Sequence, residues 1–214
     1  MCSHYESPAA EQLALGFGVA VPQQGVLDLW PGYSGPFLRA AVDQDEHDEA
    51  VPAYELLSGS FGLIPGWSKD TKIARRTYNA RSETAAEKPS FRNAWRRAQH
   101  CIISAQAIYE PDWRSGKAVA TRITRRDHEP MGIAGLWECW TDPAGEEVFS
   151  YSMLTVNASN NELMRNFHRP EDEKRMVVIL PKGLYADWLR APAAESMGFM
   201  RQYPADRLAS AAGD

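Results

Sequence analysis

The start of the chain offers a nucleophile that no internal residue can imitate. Cys2 follows Met1, and Cys2 is small enough for the initiator methionine to be removed, which would leave a free α-amine beside a thiol. Such a 1,2-aminothiol attacks an aldehyde through its amine and then closes a five-membered thiazolidine ring through its sulfur. An α-amine has a reference pKa of about 7.7–8.0 and is partly neutral near pH 7. A neighbouring cation would assist the thiol. Cys2 is therefore a candidate covalent nucleophile.

A second candidate region runs from Phe61 to Glu83 and combines turn, aromatic and basic residues. Pro65 and Gly66 force a turn that leaves Trp67 at its edge, where an exposed indole offers a stacking surface. A large ring at such a turn need not be buried. We therefore expect Trp67 to be exposed.

Basic side chains follow that turn. Arg75 and Arg76 lead to Asn79 and Arg81, which precede a helix expected to begin with Ser82 as its N-cap. Side chains at such a position converge with free backbone N–H groups, so the place suits a phosphate or another oxyanion. A surface loop with a capped helix is the alternative.

Two further residues are placed for proton transfer. Glu110 ends an apolar stretch from Cys101 that predicts one buried strand, and desolvation there would raise the pKa of Glu110 towards neutrality. His168 is predicted at the C-terminal end of a helix whose Leu163 and Phe167 share one face, and a helix end favours the protonated imidazole. For Glu110, an exposed carboxylate at a strand boundary is the alternative.

Charge is distributed unevenly along the 214 residues. Lys and Arg number 14 against 5 Asp and Glu between Lys69 and Arg126, whereas the rest of the chain has 9 against 23, which gives the net charge of −5. The basic segment could face an acidic polymer such as a nucleic acid. A solvated basic face without a specific partner is the alternative.

Composition excludes several classes of protein. The hydrophobic content is 44%, and no apolar run approaches the roughly 20 residues of a membrane span. The N-terminus lacks the pattern of a signal peptide, which predicts a cytoplasmic protein. Three cysteines, without paired metal spacing, form no disulfide framework. The acidic run from Asp43 to Glu49 lacks the spacing of a calcium loop and is expected to be solvated. We expect neither a cofactor nor a metal.

The elements that must position these residues are mostly strands. Apolar segments at 117–124, 133–140 and 148–156 with short connections predict an antiparallel sheet. Gly135 inside one of them predicts a sharp bend or a close backbone approach, as expected where a sheet curls towards a barrel. We therefore predict an α+β fold, with a single domain over residues 1–214, a curved, barrel-like, largely antiparallel sheet, short flanking helices, and a frayed tail from about residue 203.

With these pieces in hand, the chain resembles the SOS-response-associated peptidase (SRAP) family, whose members shield abasic sites in single-stranded DNA. The resemblance covers residues from about Phe61 to Leu189, together with Met1-Cys2. Its other pieces are Gly62-Leu63-Ile64-Pro65-Gly66-Trp67, Asn79-Ala80-Arg81-Ser82-Glu83-Thr84, Phe91-Arg92, Tyr109-Glu110, Ala134-Gly135-Leu136-Trp137, Thr155 with Ala158, His168, and Arg175-Met176. The resemblance implies a curved α+β fold with the terminal cysteine in a DNA-binding groove.

The resemblance also implies roles for the matching residues. Cys2 would be the covalent nucleophile, and Asn79 would hold its terminal amine. Glu110 would act as acid and base, and His168 would assist sugar-ring opening and the thiol.

For the DNA strand, the resemblance implies that Arg81 is a phosphate ligand and that Trp67 and Trp113 supply stacking or apolar surface. Arg75 and Arg76, from the basic segment, complete the predicted DNA-binding residues.

The sequence departs from the family pattern at four places. His4 and Phe61 stand where the family usually has Arg and Trp. Pro111-Asp112 separates Glu110 from Trp113, which are normally adjacent. Ala107-Ile108 replaces Gly-Phe, and residues 169–174 lengthen the step from His168 to Arg175-Met176.

Three functions remain open at this point. The first is an abasic-site protein that binds single-stranded DNA as a monomer and forms a thiazolidine crosslink through Cys2. The second is a cysteine peptidase that uses Cys2 with His168 as its base and removes its own Met1. The third is a single-stranded DNA binding module without covalent chemistry, and reaction with an aldehyde separates the first from the other two.

Overall fold

The computed structural model describes residues 2–19, 27–41 and 53–212, so the acidic run from Asp43 to Glu49 lies outside the described residues. The strands are β1 (Tyr5–Glu6), β2 (Asp28–Leu29), β3 (Ser34–Ala40), β4 (Tyr54–Phe61), β5 (Asn79–Arg81), β6 (His100–Ala105), β7 (Ala107–Asp112), β8 (Val119–Arg125), β9 (Met131–Thr141), β10 (Glu147–Asn157), β11 (Arg175–Val177), β12 (Ile179–Leu180) and β13 (Leu208–Ala212). The described α-helices are α1 (Ala10–Phe17), α2 (Ser82–Ala85), α3 (Arg92–Arg96) and α4 (Tyr185–Arg190).

Five strands close into a barrel, which confirms the predicted α+β fold with a curved sheet. Around the ring, β4 pairs with β3, β3 with β6, β6 with β9 and β9 with β10, all antiparallel. An odd number of strands cannot close with antiparallel pairs alone, and here β10 pairs with β4 in parallel through Ser150 and Tyr151. Because the ring is closed, each of the five strands pairs with a neighbour on both sides over at least part of its length.

Gly135 lies at a close approach of neighbouring strands in the barrel wall, as predicted. It pairs with Cys101 on one side and with Met153 on the other. A Cβ at this position would lie 2.3 Å from Ile103 Cδ1 and 2.6 Å from the Ser152 carbonyl oxygen. Any side chain larger than hydrogen would therefore push these strands apart.

A second sheet lies against the barrel and carries the N-terminus. Its order is β13-β8-β7-β1-β2. The sequence predicts one strand from Cys101 to Glu110, and this prediction is wrong because β6 ends at Ala105 and β7 begins at Ala107. The residue between them, Gln106, donates its backbone N–H to Glu6 at 2.8 Å, so the chain changes partners and enters the second sheet there.

The predicted frayed tail is also wrong. Residues Leu208–Ala212 form β13, which pairs with β8 over five residue pairs. Tyr203 and Leu208 are buried. Apolar side chains spaced along this polar, Ala-rich segment hold it in place, and composition alone hides them.

The helix predicted to end at His168 shrinks to a single 3₁₀ turn at Met164–Asn166. Asn161 caps it, because its Oδ1 accepts from the N–H groups of Leu163 at 3.2 Å and Met164 at 2.9 Å, while its Nδ2 donates to the Tyr203 carbonyl at 2.9 Å. His168 follows in a left-handed conformation with φ 64°. No helix among the described residues has the length and apolar character to cross a membrane.

Candidate active site around Cys2

Tyr5 fixes the N-terminal segment in place. Its ring is fully buried against Phe61 at 5.1 Å, and its hydroxyl lies 2.6 Å from that of Tyr151 on β10. Strand β1 pairs Tyr5 with Ile108 of β7. Cys2, three residues earlier, is thereby held beside the end of β7 that carries Glu110.

Cys2 is enclosed on all sides. It has no exposed surface, its thiol donates to the His4 carbonyl at 3.4 Å, and its carbonyl accepts from Asn79 Nδ2 at 2.6 Å. Asn79 lies on β5, which pairs with Met153 of β10. The structure thus brings Asn79 to the backbone of Cys2, on its carbonyl side. The Asn79 Oδ1 atom is buried and has no hydrogen-bond partner among the described residues.

Glu110 lies in β7 opposite Thr121 and is 1% exposed. Burial raises the pKa of its carboxyl to about 7, which confirms the direction predicted from its place in a buried strand. Near neutral pH both protonation states are populated. A carboxyl in this condition can both give and take a proton.

His168 faces Glu110 directly, with Nε2 lying 3.1 Å from Glu110 Oε2. The loop that carries it is fixed to β7, since the His168 N–H donates to the Pro111 carbonyl at 2.8 Å and Phe167 forms a bridge with Asp112. The Pro111-Asp112 insertion that separates Glu110 from Trp113 is therefore the part of β7 that holds the histidine.

The expected protonated state of His168 is wrong. Burial lowers the pKa of its imidazole to about 4, and the nearby Lys174 adds to this effect. The ring is therefore neutral at pH 7, and its neutral form can accept a hydrogen bond from a protonated Glu110. The pair holds one proton close to neutrality, and transfer of that proton moves no net charge into the pocket.

The expected activation of the Cys2 thiol by a cation is also wrong. Burial raises its pKa to about 12, and the Glu110 carboxylate raises it further by repulsion. A resident thiolate at Cys2 is thus disfavoured. Sulfur chemistry here requires a base that removes the proton during the reaction itself, and the carboxylate form of Glu110, which interacts with the Cys2 thiol, is the candidate.

Arg81 lies two residues after Asn79 on β5, so the two side chains leave the same face of the strand. Its side chain is 49% exposed, and Nη1 lies 2.7 Å from Glu173 Oε2. The predicted phosphate ligand is therefore ion-paired in the free protein. The predicted N-cap, Ser82, is wrong: Ser82 is the first residue of α2, and the N-cap is Arg81, whose side chain makes no capping hydrogen bond.

The other predicted DNA-binding residues lie at the surface. Trp67 is 54% exposed, as expected, and its Nε1 donates to the Pro89 carbonyl at 3.1 Å. Arg75 and Arg76 are exposed on a 3₁₀ turn at Thr71–Arg76. Trp113 is half-buried, and the Arg169 guanidinium carbon covers its ring at 4.8 Å, so one expected stacking face is occupied.

Ion pairs neutralise part of the basic segment. Five of its arginines contact carboxylates: Arg81 with Glu173, Arg97 with Glu138, Arg114 with Asp112, Arg122 with Glu6, and Arg125 with Asp127. The excess positive charge counted along the sequence is therefore smaller on the folded surface than the count suggests.

The sequence reasoning missed an aromatic stack beside Cys2. His4 lies between Trp30 at 4.0 Å and Tyr109 at 4.1 Å, with the rings nearly parallel, and its Nε2 contacts the Asp28 carboxylate. Trp30 is 43% exposed. Trp30 is followed by Pro31-Gly32, much as Trp67 follows Pro65-Gly66, and this turn sequence could have indicated a second exposed tryptophan. His4, which replaces the usual Arg, is thus engaged within the protein.

Comparison with known proteins agrees with this architecture. A family model described as SOS response associated peptidase (SRAP) matches residues 1–212. A solved structure of a protein from Bordetella bronchiseptica superposes with a TM-score of 0.88 at 48% identity and covers 100% of both chains. A protein from Bacteroides thetaiotaomicron shares the fold with a TM-score of 0.80 at 21% identity, over 99% of this chain and 91% of its own.

Two relatives carry names that describe an activity. The abasic site processing protein YoqW of Bacillus subtilis is 35% identical over 152 residues, which is 69% of this chain and 64% of YoqW. The abasic site processing protein HMCES of Gallus gallus is 29% identical over 208 residues, which is 84% of this chain and 58% of HMCES. The matched region thus spans about three-fifths of the length of these relatives.

Proposed function

The chain belongs to the SOS response associated peptidase family, and from this membership we propose that it binds single-stranded DNA and crosslinks to abasic sites through Cys2 after Met1 is removed. The product is a thiazolidine that joins the protein to the sugar. The observation that carries the proposal is the burial of Cys2 against Asn79 and beside the Glu110–His168 pair. These four residues come from four separate segments of the chain.

Removal of Met1 hydrolyses one peptide bond and turns the Cys2 amide nitrogen into an amine. The buried Asn79 Oδ1, with no partner among the described residues, is an acceptor suited to an N–H of that amine. Burial of such an acceptor without a partner is costly. Asn79 is therefore suited to hold the terminal amine of the processed chain.

The reaction needs two bond-forming steps. The amine attacks the aldehyde carbon of the ring-opened sugar, a C–N bond forms, and loss of water gives an imine. The thiol then adds to the imine carbon, a C–S bond forms, and the proton from sulfur ends on nitrogen. Glu110, with a pKa of about 7, can donate the proton that helps water leave and can accept the proton from sulfur.

His168 acts on the same proton. As a neutral imidazole 3.1 Å from the Glu110 carboxyl, it can accept the proton that Glu110 takes up and return it without placing an isolated charge in the pocket. The raised pKa of Cys2 fits this order, because the sulfur stays protonated until the imine has formed.

A peptidase that acts on other proteins is the weaker candidate. Cysteine peptidases depend on a thiolate next to a cationic imidazole. Here burial favours the neutral thiol and the neutral ring. Removal of its own Met1 requires no external peptide substrate.

The test compares the two fully buried cysteines of the chain. Processed wild type, Cys2→Ala and Cys101→Ala are incubated with an abasic single-stranded oligonucleotide and separated under denaturing conditions without borohydride. We expect a stable adduct from wild type and Cys101→Ala and none from Cys2→Ala. Cys2→Ser should give a reducible imine or a slowly closing ring. An unreduced adduct of wild-type yield from Cys2→Ala would place the nucleophile elsewhere.

A further inference from the structure

Arg81 occupies a position that couples it to the Cys2 site. Asn79, which binds the Cys2 carbonyl, lies two residues earlier on the same face of β5. Successive side chains on one face of a strand are about 7 Å apart. An anion bound by Arg81 would therefore lie beside the nucleophile, at the spacing of a neighbouring phosphate.

Arg81 already holds an anion in the free protein. Its Nη1 lies 2.7 Å from Glu173 Oε2, and both side chains are partly exposed, at 49% and 37%. Exposed ion pairs contribute little because water screens them and ordering two long side chains has an entropic cost. The contact is thus weak enough for another anion to displace.

Glu173 is anchored independently of Arg81. Its other oxygen, Oε1, accepts from Arg175 Nη1 at 2.7 Å and from Asn157 Nδ2 at 3.2 Å. Arg175 is buried and also binds both oxygens of Glu83, at 3.2 and 2.8 Å. Arg81 can therefore leave Glu173 while the carboxylate stays in place.

We propose that Glu173 is an internal phosphate mimic, which occupies Arg81 until a DNA phosphate displaces it and so sets the affinity of the protein for single-stranded DNA. This inference rests on the proposed function. The two arginines and two carboxylates, Arg81, Arg175, Glu83 and Glu173, carry no net charge together. Loss of the Glu173 charge frees Arg81 and leaves a net positive charge at the phosphate position.

The segment of residues 169–174 places the Glu173 carboxylate next to Arg81. It connects His168 to Arg175, and two contacts fold it back on itself: Lys174 Nζ donates to the His168 carbonyl at 3.2 Å and also contacts the Arg169 carbonyl at 2.5 Å. Glu173 is held within this segment and faces Arg81. The longer connection thus carries the carboxylate that covers the phosphate ligand.

The test is a double-mutant cycle on undamaged single-stranded DNA. We expect Glu173→Gln to bind about 3–10-fold more tightly than wild type at low salt, with less gain at high salt and a salt slope steeper by about one ion. Arg81→Ala should bind more weakly. Adding Glu173→Gln to Arg81→Ala should give little gain, since the freed partner is absent. Glu171→Gln, an exposed charge on the same segment, is the matched control and should change affinity less.

Several outcomes would overturn the mimic. Weaker binding by Glu173→Gln would mean that Glu173 orients Arg81 for DNA. An equal gain in the Arg81→Ala background, or from Glu171→Gln, would mean that any lost negative charge acts at long range. If wild type binds DNA and Glu173→Gln binds equally, the mimic fails while the proposed function stands. If neither wild type nor Glu173→Gln binds DNA at low salt, the proposed function fails and the mimic fails with it.

Discussion

His168 and His100 are both buried histidines with a pKa lowered to about 4 by burial, yet their surroundings differ. His100 lies 2.8 Å from the Trp188 carbonyl through Nδ1 and 2.9 Å from the Ser196 hydroxyl through Nε2, and its ring stacks on Trp188 at 3.8 Å. A carbonyl only accepts, so Nδ1 must donate and Nε2 must accept from the serine. Both nitrogens are therefore committed to fixed partners.

His168 instead faces a group that titrates. Glu110 Oε2 lies 3.1 Å from its Nε2, and the carboxyl has a pKa of about 7. The same burial thus produces a structural histidine in one place and a proton-exchanging pair in the other. The identity of the partner, and not the size of the pKa shift, separates the two.

The first prediction concerns Glu110→Gln, which gives His168 a partner that does not titrate, as the partners of His100 do not. Glu110→Gln keeps the shape of the partner but removes its titratable proton. We expect adduct formation to slow by about 10²–10⁴-fold, the usual contribution of a general acid and base, while affinity for single-stranded DNA persists. Rate is followed by denaturing gel and affinity by anisotropy. Equal losses in both would make Glu110 a structural anchor, as Ser196 is for His100.

The second prediction uses the stability of the same variant. The folded pKa of Glu110, about 7, lies above its ordinary value of 4.5, so the favourable contribution of the protonated carboxyl is complete below about pH 4.5 and is lost as pH rises through 7. Gln does not titrate. Glu110→Gln should therefore gain stability relative to wild type between pH 5 and 9, by about 3 kcal/mol at most. Thermal unfolding across this range checks it, and a constant difference would contradict the raised pKa.

The third prediction compares the same substitution, His to Gln, at the two buried histidines. His168→Gln should slow adduct formation by about 10–100-fold, a proton-transfer effect, with little change in melting temperature. His100→Gln should lose about 1–3 kcal/mol of stability through its broken hydrogen bonds and ring stack, with an unchanged rate per folded molecule. Melting curves and adduct rates for both variants test it. The same pattern of losses in both would remove the distinction between them.

Local sequence was enough to predict several of these features. Gly135 inside an apolar strand signalled the tight barrel wall, the Pro65-Gly66 turn signalled the exposed Trp67, and the apolar run before Glu110 signalled its raised pKa. Each depends on neighbours along the chain. Two of the three predicted strands, 133–140 and 148–156, became β9 and β10 of the barrel, with starts within two residues. The third, 117–124, became β8, which pairs in the second sheet, so the prediction of one sheet for all three is wrong.

The features that could not be predicted from the sequence depend on contacts between segments that are distant along the chain. His168 is neutral because it is buried against β7, whereas a helix end would have favoured its charge. Arg81 is covered by Glu173, and His4 is stacked under Trp30, in each case across a large separation in sequence. The tail forms β13 because Leu208 finds a buried place beside β8. Such pairings depend on the folded topology, and local sequence does not identify the partners of these residues.

The most direct test of the central claim is to locate the crosslink by mass. Wild-type protein is reacted with an abasic oligonucleotide, the DNA is digested to the attached sugar remnant, and the N-terminal peptide is sequenced by tandem mass spectrometry. We expect a peptide that begins at Cys2, lacks Met1, carries the remnant on its first residue and has no free thiol there. A remnant on a lysine, or on a peptide that still begins with Met1, would contradict the account.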